Sequence, residues 1–145
     1  FLLNVPYETT AIPLYVNLTQ AGTVAGGDVS IRISIDKVNR YSTGGTAEKV
    51  LSPSGNYQNK CTLYSTATAI TGYGMRIFSA VVGADVSPAE GAVQGPYWAA
   101  EVPYFLAGPA AFMVFTDAGT TGPTWEWSIC WAEVPTDLLP RFREQ

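Results

Sequence analysis

The sequence predicts an all-β protein, a jelly-roll-like antiparallel β-sandwich, and three observations carry that prediction. Residues Trp125 to Val134 read Trp-Glu-Trp-Ser-Ile-Cys-Trp-Ala-Glu-Val, a period of two that sets Trp125, Trp127, Ile129 and Trp131 against Glu126, Ser128, Cys130 and Ala132. Asp28 to Asp36 alternates as cleanly, with Val29, Ile31, Ile33 and Ile35 on the buried side and Asp28, Ser30, Arg32, Ser34 and Asp36 on the wet side. No stretch of ten or more residues keeps a helical period, and turn residues recur at short, nearly regular intervals. With 145 residues the chain has enough length for one domain with a sizeable core, so residues 1–145 are read as a single sandwich with a short N-terminal arm (1–10) and a C-terminal tail (136–145).

Taken in order, the arm Phe1 to Tyr7 cannot form a core by itself. Ala11 to Leu18 places Ile12, Leu14, Val16 and Leu18 on one face, and Pro13 calls for an edge or first-strand position because proline has no N–H for the ladder. Asn17-Leu18-Thr19 is a glycosylation sequon of a kind that arises often by chance, and it is set aside. Ala25-Gly26-Gly27 turns the chain into the Asp28 strand. Farther on, Gly44 and Gly45 supply the positive φ that a tight reversal needs. No Gly-Lys-Ser or Gly-Lys-Thr follows them, so a phosphate-binding P-loop is excluded. Leu51 to Asn56 reads as a loop, and Cys61 to Thr71 as a strand whose small residues on both faces imply close packing. Gly72-Tyr73-Gly74 ends it before the short apolar strand Met75 to Val82, and Gly83 to Pro96 reads as a long loop. Tyr97 to Leu106 and Ala110 to Thr116 follow as strands, Gly119 to Pro123 turns into the tryptophan strand, and Pro135 ends it. That makes about eight to ten short strands, a number that suits a jelly roll. An immunoglobulin-type sandwich is disfavoured because Trp98 lies 37 residues after Cys61.

Composition narrows the function classes. Charged residues make up 14 % of the chain with a net charge of −4, and the eight cations are scattered, so no basic stripe exists for nucleic acid. Histidine is absent, which removes serine and cysteine triads and the commonest metal ligand. Cys61 and Cys130 are too few and too far apart for zinc, and two small buried thiols are expected rather than a cross-sheet disulfide. The carboxylates Asp28, Asp36, Asp85, Asp117, Glu90, Glu101, Glu126 and Glu133 form no motif that recommends a catalytic pair, and Asp117 alone makes a poor calcium loop. The expectation is therefore no enzyme, no cofactor and no metal. The uncharged runs Cys61–Met75 and Val102–Thr116, 15 residues each, stop short of a spanning helix, and no secretory signal pattern is visible, so no membrane partner is expected. A neutral surface suits contact with other protein instead. Ala110 to Thr116, apolar on both faces and carrying Phe112 and Phe115, must be covered either by loops of its own chain or by a neighbouring subunit, and the subunit is favoured.

Two short runs add a resemblance. Val38-Asn39-Arg40-Tyr41-Ser42-Thr43-Gly44-Gly45-Thr46 and the closing Trp131-Ala132-Glu133-Val134-Pro135 resemble small virion proteins of tailed bacteriophages, notably cyanobacterial phages. The strand spacing and the Gly-Pro-aromatic finish are also similar to the trimeric jelly rolls of capsid decoration, or cement, proteins and of the tumour necrosis factor and C1q group. The resemblance implies a structural virion protein on the outer surface of the capsid, a homotrimer that clamps subunits of the major capsid protein. Contacts are expected from the arm (Phe1, Leu2, Leu3, Tyr7), from Phe112 and Phe115, and from the tail Arg141-Phe142-Arg143. The alternative is a carbohydrate- or host-surface-binding module of a virion, with Tyr73, Tyr97 and Trp98 beside glycine-rich loops as the sugar contacts.

Overall fold

The structure is a computed structural model that describes residues 1–21, 27–52, 58–69, 74–84, 94–117 and 124–139. Within them lie twelve strands: β1 (Leu2–Val5), β2 (Thr9–Gln20), β3 (Gly27–Asp36), β4 (Tyr41–Thr43), β5 (Thr46–Ala47), β6 (Thr62–Ser65), β7 (Thr68–Ala69), β8 (Met75–Ala84), β9 (Gln94–Ala99), β10 (Leu106–Ala107), β11 (Ala110–Asp117) and β12 (Trp125–Pro135). They form an antiparallel β-sandwich with unequal layers. The large sheet runs β5-β6-β1-β11-β3-β8, and the small sheet runs β10-β2-β12 with β9 also on β2. A two-stranded β4–β7 flap completes the set.

Alternation builds the core as expected. Val29, Ile31 and Ile33 of β3, Phe112 and Val114 of β11, and Leu3 and Val5 of β1 meet Val16 and Leu18 of β2 and Trp98 of β9. Trp125, Trp127, Ile129 and Trp131 close over that core from β12, each half-buried. The Trp98 ring lies 5.6 Å from that of Phe112. Cys61 and Cys130 are free thiols.

The N-terminal segment is not an arm. β1 lies inside the large sheet between β6 and β11, with Leu3 opposite both Leu63 and Phe112. Its alternating apolar residues satisfy two sheet neighbours at once, and Leu2, Leu3 and Val5 are buried. The start of the expected tail is also tied down. The Thr136 amide donates to the Glu8 carbonyl at 3.0 Å, and the Thr10 and Thr136 hydroxyls lie 2.9 Å apart. Residues 140–145 lie outside the described residues.

Pro13 is likewise not on an edge. β2 is the central strand of the small sheet, paired along its length with β12 and on its other side with β10 and then β9. Pro13 falls between the β10 and β9 pairings, where a missing N–H costs no ladder bond. Opposite it the β12 register shifts, since Cys130 faces Tyr15 while Trp131 faces Pro13, leaving Leu14 as the extra residue of a bulge. The bulge reverses the inward set: Ala11 and Pro13 are buried before it, Val16 and Leu18 after it, and Leu14 stands 44 % exposed.

Two expected strands are each divided. Cys61 to Thr71 breaks at Thr66, whose φ of 52° turns β6 into β7. Tyr97 to Leu106 breaks into β9 and β10 around Pro103. Gly44 and Gly45 do take positive φ, 69° and 77°, between β4 and β5. The turns expected at 25–26, 72–73 and 119–123 lie outside the described residues, as do residues 85–93 of the expected 83–96 loop, whose two ends are strand instead: β8 runs on to Ala84 and β9 begins at Gln94.

Candidate interaction surfaces

The two-faced strand β11 is spent within the chain. Its inward side, Ala110, Phe112 and Val114, lies in the main core. Its other side, Ala111 and Met113, joins Leu2 in a second cluster under Tyr41, Tyr64, Ala67, Ala69 and Phe115. The β4–β7 flap supplies that cover, with the Tyr41 and Tyr64 rings stacked at 4.1 Å. Ser34, expected on the wet side, pairs with Met113 and is buried on the same patch. Of the two covers open to β11, the structure selects the chain's own flap, so this strand carries no argument for a subunit contact.

Leu3 and Phe112 are fully buried and Leu2 nearly so, which leaves them no surface to offer another molecule. Phe1 is half-buried, its ring 4.8 Å from that of Trp127 and its amine donating to the Val114 carbonyl at 2.6 Å. Phe115 edges the flap cluster, while Tyr7 is well exposed at one end of the sandwich. Trp98 is buried, whereas its neighbour Tyr97 is 60 % exposed, as alternation on one strand requires. Tyr73, Arg141, Phe142 and Arg143 lie outside the described residues. The expected sugar contacts Tyr97 and Trp98 thus point to opposite faces of the small sheet.

Several exposed apolar groups, Tyr15 and Tyr97 among them, lie on the outer face of that sheet. Register places Tyr15 and Asn17 of β2, Tyr97 and Ala99 of β9, and Ser128, Cys130, Ala132 and Val134 of β12 on it. Tyr15 and Tyr97 are stacked, with centroids 6.1 Å apart. Phe105, 55 % exposed, faces the same way by alternation with the buried Leu106, and exposed Val102 lies in the connection before it. Glu126 is the single charged side chain among the outward strand positions of β12. Asn17, the sequon residue, sits inside this central strand with its side-chain Oδ1 buried and without a hydrogen-bond partner among the described residues. An outer face normally shows polar residues to water, so an aromatic, nearly uncharged one is a candidate contact surface. Sequence reasoning picked Tyr97 and missed Tyr15, Leu14 and Phe105. Tyr15 was legible from the outward phase of β2; Leu14 was not, because only the bulge turns it out.

The second surface is the open flank where β12 stands over β5 and β6. A groove of about 740 Å³ runs there between Val50, Leu51 and Leu63 on one side and Trp127, Ile129 and Trp131 on the other. Glu133 pins its far end: its carboxylate accepts from the Lys60 amide at 2.8 Å, from the Cys61 amide at 3.4 Å and from Trp131 Nε1 at 2.8 Å. Burial, with the Glu133 carboxylate beside it, pushes the Cys61 thiol far above its usual range, so it stays protonated. At the other end of the flank a groove of about 610 Å³ reaches Trp125, whose buried indole Nε1 has no hydrogen-bond partner among the described residues.

Among the described residues no three His, Cys, Asp or Glu side chains gather as a metal site would require, and no helix is long and apolar enough to cross a membrane. Comparison with protein-family models, characterised proteins and solved structures finds no match to this chain.

Proposed function

We propose that the chain is a structural, non-enzymatic sandwich that binds another protein surface through the outer face of its small sheet, and that this surface is the outside of a phage head. In that reading it is a capsid decoration protein whose partner is the major capsid protein. The observation that supports a protein contact is the stacked, exposed pair Tyr15–Tyr97 on a face whose neighbouring outward positions are small or uncharged. Tyrosine gives large, stiff contact area at little entropic cost, and charge is what interface centres lack. The virion setting rests on the resemblance carried by Val38 to Thr46 and Trp131 to Pro135. Many copies on one shell would add weak individual contacts into lasting attachment.

Co-sedimentation with empty heads of a tailed cyanobacterial phage tests this reading. Wild-type protein is expected to pellet with the heads, and the double variant Tyr97→Ser, Phe105→Ser to stay in the supernatant with an unchanged melting curve. A folded wild-type protein that never pellets with heads overturns it. One observation favours the carbohydrate alternative: the Tyr97 ring is 60 % exposed on a nearly uncharged face. An exposed, stiff aromatic ring is the group on which a sugar would stack. Titration with neutral oligosaccharides, giving heat that Tyr97→Ser abolishes, would establish it in place of the capsid reading.

A further inference from the structure

Among the described strands β12 carries the most tryptophans, three, and lies at an edge of the small sheet. Among the described residues its whole length, Trp125–Pro135, pairs with β2 on one side and with nothing on the other. All four of its inward-facing apolar residues remain only half-buried, while β2 beside it buries Val16 and Leu18. Grooves flank those inward side chains on the open side, and the buried Trp125 Nε1 there has no hydrogen-bond partner among the described residues. Natural sheet edges are usually blunted by lysine, by proline, by an inward-pointing charge or by a bulge in the edge strand. β12 has no Lys, no Arg and no Pro before Pro135, the bulge in this pairing belongs to β2, and its one inward charge, Glu133, is already engaged by the Lys60 and Cys61 amides and by Trp131.

We infer that β12 is a strand-addition site whose occupant is β12 of a second copy, joined antiparallel about a two-fold axis perpendicular to the small sheet. An antiparallel edge is its own complement under such an axis, so no second kind of surface is needed. The axis keeps each residue on its own face, which allows only residues of equal phase to meet across the seam. Centring the seam on Cys130 engages the whole strand. Ile129 then meets Trp131 of the second copy on the inner side, adding aromatic cross-strand contacts where the grooves now lie. The charges permit it: Glu126 faces Val134 and Glu133 faces Trp127, so the two carboxylates of each copy never oppose one another. The same axis turns both Tyr15–Tyr97 faces to one side of the joined sheet. That would double any grip made through them, although the pairing itself does not depend on what that face binds.

Light scattering across a dilution series, combined with thiol cross-linking, tests the pairing on the whole chain. A mass twice the 15.5 kDa of one chain, falling towards a single chain on dilution, is expected. Oxidation with copper phenanthroline should yield a reducible dimer that Cys130→Ser abolishes and Cys61→Ser does not. Cys130→Lys sets two ammonium groups against each other at the axis and should weaken the dimer tenfold or more. The cross-link in the wild-type protein decides the matter even if that variant fails to fold. A monomer at every concentration, a trimer, or a dimer with no Cys130 cross-link overturns the pairing. None of these outcomes bears on binding to phage heads, which the Tyr97 and Phe105 variants test separately.

Discussion

β11 and β12 both carry large apolar side chains and end up opposite as structures. Ala110 to Thr116 is apolar on both faces, with Phe112 and Phe115 on opposite sides, whereas Trp125 to Trp131 sets its aromatic rings at alternate positions on one face. Yet Ala110 through Val114 are all buried, whereas no residue of β12 is. The difference lies in neighbours. β11 has β1 on one side, β3 on the other, the small sheet beneath it and the β4–β7 flap above. Among the described residues β12 has β2 on one side only. Apolar content sets how much a strand gains from being covered; topology decides whether anything covers it.

The sharpest way to break that contrast is a truncation in each strand. Phe112→Ala, at a site with no exposure and with the Trp98 ring against it, should cost about 3–5 kcal/mol, measured by urea unfolding. Trp131→Ala removes a larger ring from a half-exposed site and one hydrogen bond to Glu133, so about 2 kcal/mol is expected. A Trp131 loss equal to that of Phe112 would mean that β12 is covered in solution, as strand pairing would make it.

A pH series probes the seam where β12 meets the large sheet. Cys61 holds its proton in the folded chain far above the ordinary thiol value of 9.0, because of burial and of Glu133 beside it. The unfolded thiol ionises once the pH passes that value. The folded state then binds more protons than the unfolded one, and stability falls as the pH rises. The slope is about 1.4 kcal/mol per pH unit, present in wild type and flattened in Cys61→Ala, as thermal melts in alkaline buffers would show. The same burial makes Cys61 unreactive towards a thiol reagent until the chain unfolds, while Cys130, on the outer face, should react in the folded protein.

The smallest effect concerns the cover over β11. Thr66, a β-branched residue at a φ of 52°, forms the turn into β7 of the flap. Thr66→Gly relieves that strain and should raise stability by up to about 1 kcal/mol in the same urea assay. If the variant instead loosens the flap, Met113 becomes exposed and oxidises faster, which sets how much of the burial of β11 depends on that turn.

Much of the fold was legible because a strand writes its environment as alternation. The inward faces of β3 and β12 could be read residue by residue, as could the glycine reversal at Gly44–Gly45. Within the candidate contact surface, Tyr97 was legible and Leu14 was not. The bulge at Leu14 depends on how β12 registers against β2, and register is a property of two strands together.

By itself the sequence determined which residues are apolar, at what period they recur and where the chain must turn, because these depend on local backbone sterics and side-chain chemistry. Only the tertiary structure decided that Phe1 to Tyr7 includes an inner strand, that the chain's own flap hides the outer side of β11, and that the tryptophan strand is left with an open edge. Those outcomes turn on which segments, far apart in sequence, become neighbours in a sheet. Hydrophobic burial is non-directional and does not name its partner, so periodicity alone could say that a face wants cover but not what supplies it.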